Sequence, residues 1–325
     1  GIGVDVSFYA EQSRNNPQFS CEELPPLEGE GGGEQGPTVG AALGAYITPS
    51  SESCNATVNT GIAAGGTNFH TIQAAINDAG TTAGETVCVV AGTYPEDVNV
   101  SKDITLAGAG QATTIINGQI GGQTGALQIS ADGATVSGFA INAASGAVAA
   151  MRILSVHSGV TISSNKITAA TGGTAVDTVG GQSNHTFSNN EFVGSAGQPI
   201  VYVNGLASVN VASTNVDFTQ NSFTGAGSLA LGQEAGASSI TLNKFSAVTS
   251  FADVEDWEGG NLYNQNNFND TGLNLQHSEN GPTGDNGITN AENNWWGDAN
   301  PADGDVNPNV DVDFTPFEGS AFPEN

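Results

Sequence analysis

The sequence predicts an all-β chain whose body, residues 69–325, is a right-handed parallel β-helix of roughly nine coils. Three observations predict it. An Asn stands two positions before a large apolar residue six times in series: Asn165/Ile167, Asn190/Phe192, Asn221/Phe223, Asn243/Phe245, Asn266/Phe268 and Asn294/Trp296. A short amphipathic segment at 68–79 precedes the first strands. The composition, with Gly 45, Met 1 and Lys+Arg 5, is that of many short strands joined by tight turns.

The repeat gives the coil. Steps between the Asn residues are 25, 31, 22, 23 and 28 by subtraction, so each coil keeps its strands and varies its loops. Asn is expected to hold the left-handed turn between strands, with its amide bonded from coil to coil and the apolar residue behind it in the core. At 68–79, Phe69, Ile72, Ala75, Ile76 and Ala79 recur at helical spacing behind Asn68 as N-cap. A helix laid over the first coil would cover an otherwise open sheet edge.

Upstream, three segments differ in character. Residues 1–23 form an arm opening on strict alternation, with Ile2, Val4, Val6 and Phe8 on one face of a strand. Residues 24–38, rich in Gly, Glu and Pro, read as a flexible linker, and 39–68 as a lead-in. Of three cysteines, Cys21 and Cys54 lie in this irregular region and are expected to pair, leaving Cys88 as a small buried hydrophobe.

The segment from 68 to 108, with its helix, the strand at 86–90, Gly92-Thr93-Tyr94-Pro95-Glu96 and the strands after it, resembles the opening of pectin-lyase-like β-helix proteins, pectin methylesterases included. The closing stretch, Asn293-Asn294-Trp295-Trp296-Gly297 followed by Val312-Asp313-Phe314-Thr315-Pro316-Phe317, is similar to the last coil of NosD-like secreted β-helix repeat proteins. The resemblance implies the fold. It also implies roles in binding or processing polysaccharides, or at cell surfaces.

Charge narrows the partners. A formal net charge of −28, from 33 acids against 5 bases, argues against nucleic acid and anionic membranes, both of which need basic patches. No apolar run is long enough to span a bilayer. Gly1 is not followed by a basic and then apolar leader pattern, so any signal peptide is expected to have been removed or never to have been present. An extracellular or cell-surface location is expected, in a salty or calcium-containing medium that screens the acidic surface.

The search for chemistry starts from that scarcity of bases. Lyases of the resembled family need Arg or Lys to abstract a proton and bind uronate, and only Arg14, Lys102, Arg152, Lys166 and Lys244 are available. The paired aspartates and substrate-binding Arg of the methylesterases have no evident counterpart, nor do the Asp cluster and Gly-His-Gly element of polygalacturonases. Weak catalytic candidates are Asp253, Glu255 and Asp256 beside Trp257, and His277 with Glu279 and Asp285. The plainer reading of both groups is a solvated loop. No transition-metal spacing occurs among the four histidines and no cofactor is expected, although Asp298, Asp303, Asp305, Asp311 and Asp313 form a candidate calcium loop.

Two functions are compatible with this reading. The favoured one is a non-enzymatic secreted building block that self-associates head to tail, the arm of one copy packing on its neighbour. The alternative is a carbohydrate-active enzyme or glycan-binding rod of the same fold.

Overall fold

Short strands rich in Val, Ile, Thr and Phe wind the chain into three parallel sheets, and the alternation within each strand sends one set of side chains inward. In the computed structural model, the described residues are 54–61, 63–121, 125–154, 156–204, 213–246, 254–256, 260–268, 275–277, 289–297 and 312–322. Among them the first sheet has 13 strands, and the second and third have eight each. Neighbouring strands within a sheet come from successive coils, which is the right-handed parallel β-helix that the sequence predicts. Residues 1–44, which carry Ile2, Val4, Val6, Phe8 and Cys21, lie outside the described residues, and residues 45–325 form one compact unit.

Register aligns like with like. Along the first sheet, Leu106, Val136, Ile162, Phe187, Phe218 and Ile240 follow one another on successive strands and are all fully buried. In the second sheet the residues two beyond each Asn stack: Phe192 on Phe223, then Phe245, Phe268 and Trp296, with ring centroids 5.1, 4.7, 4.8 and 4.7 Å apart. Such spacing is one coil per ring.

The Asn ladder differs from expectation in one respect. The ladder residues are buried and point inward; the left-handed corner is held by the residue before each of them, Ser164, Asn189, Gln220, Leu242, Gln265 and Asn293. Each ladder Asn does two things. Its Oδ1 accepts a backbone N–H of the preceding coil, that of Phe139 for Asn165 at 3.0 Å and that of the preceding ladder Asn for the others, as from Asn190 to Asn221 at 2.9 Å and from Asn221 to Asn243 at 2.8 Å. Its Nδ2 donates to a carbonyl of the preceding coil, as from Asn243 to Phe218 at 2.9 Å. A corner interrupts the sheet ladder and leaves backbone groups unpaired, and an inward amide is the side chain that satisfies a donor and an acceptor together.

At the N-terminal end the helix is Ile72–Asn77, shorter than the 68–79 expected, and Thr71 is its N-cap. Asn68–Phe69 is instead a strand paired with Thr57–Val58, so strand pairing wins over the helical spacing of Phe69. Ile72, Ala75 and Ile76 are buried beneath the helix, and the Glu96 carboxylate accepts the N–H groups of Ile72 and Gln73 at 2.8 and 3.0 Å. The Gln73 amide bonds the backbone of Asn99 on the first strand of the third sheet, at 2.6 Å from its N–H and 3.2 Å to its carbonyl. That open edge is therefore covered, as expected of a capping helix.

Pairing of Ala56–Val58 with Thr86–Val89 starts the stack upstream of Phe69 and brings two cysteines together. The disulfide is Cys54–Cys88, not Cys21–Cys54, and Cys88 is no free hydrophobe. Closing a loop of sequence separation 34 stabilises the fold by about 4 kcal/mol in the chain-entropy model.

Candidate functional site

The outward side of the third sheet presents one residue per coil in a straight row. Register runs Asn99, Gln128, Arg152, Asp177, Tyr202, Gly232. Parallel strands repeat this position every coil, about 4.8 Å apart, so side chains far apart in sequence become neighbours.

At the centre of the row Arg152 Nε donates to Asp177 Oδ2 at 3.0 Å, and each side chain is only 13 % exposed. Asn204 Nδ2 donates to the other carboxylate oxygen at 2.7 Å. Burial raises the Asp177 pKa above 3.8, a shift that the Arg152 charge and the two hydrogen bonds oppose without cancelling. The group is thus a carboxylate fixed on both oxygens and more basic than an exposed Asp.

Beside it, the Tyr202 ring lies over Gly232. A Cβ at position 232 would meet Tyr202 Cδ2 at 2.6 Å, so only glycine leaves room for the ring. The phenol donates to Glu234 Oε1 at 3.0 Å, and Glu234 is buried. Asp177, Tyr202 and Asn204 form one side of a cavity of about 520 Å³ whose other walls include Val148, Thr174, Pro199 and Leu229. An aromatic face, aliphatic walls and a few fixed polar groups suit a sugar ring.

The residues singled out from the sequence fall elsewhere or only partly here. Glu255 and Asp256 lie on the strand Val254–Asp256, Glu255 in backbone register with Gly232, and Asp256 in register with His277 on Leu275–His277. Asp253 and Trp257 lie outside the described residues, as do Asp298, Asp303, Asp305 and Asp311. Asp313 is exposed, and its Oδ1 accepts the Thr315 N–H at 3.3 Å. Among the described residues no cluster of three His, Cys, Asp or Glu side chains could hold a metal, and no helix is long and apolar enough to cross a membrane.

Sequence reasoning missed the Arg152–Asp177 pair, although a signal existed. The two are 25 residues apart, the same step as Asn165 to Asn190. Arg152 is one coil before Asp177, and Arg152 is one of only five bases in the chain.

No protein-family model and no curated protein matches the chain. Solved structures do. Pectin methylesterase PemA from Erwinia chrysanthemi superposes with a TM-score of 0.51 at 11% identity, over 81% of this chain and 93% of that one. A pectin methylesterase in complex with a hexasaccharide gives 0.52 at 10% identity over the same shares. An alginate lyase from Paenibacillus gives 0.49 at 12% identity, over 69% of this chain and 81% of that one. Likeness at this identity establishes the pectin-lyase-like fold. The expectation of a non-enzymatic, self-associating building block is corrected: these neighbours in fold are carbohydrate-active enzymes, and on the third sheet the Asp177 carboxylate, fixed by Arg152, lines a cavity. The leaning against enzymatic activity, which rested on the absence of a recognisable catalytic set, is corrected by the same likeness.

Proposed function

We propose that the protein is an extracellular carbohydrate-active enzyme that takes a neutral glycan along the outer face of the third sheet and acts on it hydrolytically at Asp177. The observation that carries this reading is the Asp177 carboxylate, held by Arg152 and Asn204 at the edge of a cavity with Tyr202 as platform. A raised pKa makes Asp177 a better proton acceptor near working pH. It takes a proton from a water molecule as the water oxygen attacks the acetal or ester carbon; the C–O bond to the departing alcohol breaks, that alcohol's oxygen takes the proton back from Asp177, and Arg152 keeps the carboxylate in place.

Charge selects the substrate class. The Arg152 charge is matched by Asp177, and among the described residues the cavity lining contains no cation to receive a uronate. With a net charge of −28, polyanions are disfavoured at long range as well. The Cys54–Cys88 disulfide supports an oxidising, extracellular setting.

Affinity electrophoresis through gels containing single polysaccharides tests the reading. Retardation by a neutral polymer is expected, and should be weakened in Tyr202→Ala. Retardation only by polyuronates, or none by any polymer, would contradict it.

A further inference from the structure

A second feature lies on another face, at the corner where the first sheet turns into the second. Here coil after coil places a residue in the left-handed region: Asn189 (φ 56°), Gln220 (57°), Leu242 (59°), Gln265 (56°) and Asn293 (57°). That conformation crowds a Cβ, and Asn tolerates it far better than Gln or Leu. Asn occupies the corner at both ends of this stretch, yet three successive coils between them carry long side chains that the turn disfavours. A repeated backbone outlier of this kind directs attention to what its side chains face.

All three line a cavity of about 290 Å³. Its floor is Ser222, Lys244 and Asn267, successive residues of one outward row in the second sheet. Its end is Phe322, brought from 55 residues away by two hydrogen bonds: the Phe322 N–H donates to Asn267 Oδ1 at 2.8 Å, and its carbonyl accepts from Nδ2 at 3.0 Å. Among the described residues the lining contains no Asp or Glu, in a chain with 33 of them. The next residue of the floor row, Glu191, is bonded to Lys166 at 2.7 Å.

We propose that this corner groove is a second glycan-binding site, for an unbranched neutral oligosaccharide. Amides of Gln220 and Gln265 offer donors and acceptors side by side, which is what neighbouring sugar hydroxyls require. Leu242 and Phe322 offer apolar surface for ring faces, and Lys244 donates to a hydroxyl. Rows that repeat about every 4.8 Å suit a chain of pyranoses laid along the stack. The groove does not depend on the Asp177 site, and it would hold the protein on a polymer whose other segments reach the third sheet.

Titration calorimetry on the full chain carrying Tyr202→Ala, which disables the third-sheet platform, isolates the groove. The probes are β-1,4-linked hexaoses of glucose, mannose and xylose, with a galacturonate hexamer as the charged comparison. One neutral hexaose should bind with a Kd below about 1 mM. Adding Gln220→Asn, Leu242→Asn and Gln265→Asn should weaken that binding at least tenfold and leave the melting temperature equal or higher, because Asn suits the corner. No binding by any neutral hexaose, equal binding after the triple substitution, or tighter binding of the galacturonate hexamer would overturn the proposal. Failure of hydrolysis at Asp177 with groove binding intact would remove only the earlier reading.

Discussion

Arg152 and Asp177 stand side by side on adjacent strands of the third sheet, Nε 3.0 Å from Oδ2, although 25 residues separate them. The protonation of the Asp177 carboxylate is set from two directions, burial raising its pKa and the guanidinium lowering it. If Asp177 is the proton acceptor, activity is lost as pH falls through its raised pKa. Arg152→Ala removes a lowering influence, so the acid limb of the pH–rate profile should move to higher pH. A limb that stays in place or moves down would place the reacting group elsewhere.

Gly232 positions Tyr202 without touching substrate. Gly232→Ala should push the ring off the sheet, since the new methyl would sit 2.6 Å from Cδ2. We expect KM to rise roughly 2- to 10-fold, the worth of an aromatic contact, with kcat much less affected. Glu234→Gln should keep the phenol in place and show near-normal KM.

The Asn ladder makes a stability prediction. Asn243→Ala removes the acceptor of the Asn221 N–H and the donor to the Phe218 carbonyl, leaving both buried. Two such orphans cost about 3 kcal/mol together. Denaturant unfolding should show this as a lower midpoint with an unchanged slope.

His185 is fully buried, its Nδ1 accepting the Val160 N–H at 3.1 Å while Nε2 lies 2.8 Å from Gln182 Oε1. Burial, helped by the nearby His157, lowers its pKa from 6.5 to about 4. Between these values the unfolded chain binds a proton that the folded chain does not. Stability from this group is complete above pH 6.5 and lost as pH falls towards 4, by about 3 kcal/mol. His185→Gln should flatten that part of the stability–pH curve.

How far the sequence revealed this structure depends on which residues carry local signals. The coils from Asn165 onward were legible because each repeats an inward Asn and an aromatic at fixed offset. The corner was misassigned to those Asn residues because the left-handed position is filled by Ser164, Gln220, Leu242 and Gln265 as well as by Asn. Phe69 fits a helical stripe by spacing and is a strand residue by pairing. Cys54 meets Cys88 only because Ala56–Val58 joins the first sheet, a long-range event with no local mark. Asp177 was hidden for a related reason: its partner Arg152 precedes the first ladder Asn, so the coil phase there could not be counted from the repeat. Acidic residues clustered in sequence drew attention instead, whereas a β-helix builds sites from residues one coil apart.

Release of reducing ends or ester groups from a panel of neutral polysaccharides tests the central claim most directly. Wild-type protein should release product from at least one of them, and Asp177→Asn, nearly isosteric and no longer basic, should cut the rate by about 100-fold or more while keeping retardation on the same polymer. Equal rates for the two proteins, or no product from any neutral glycan, would contradict the account.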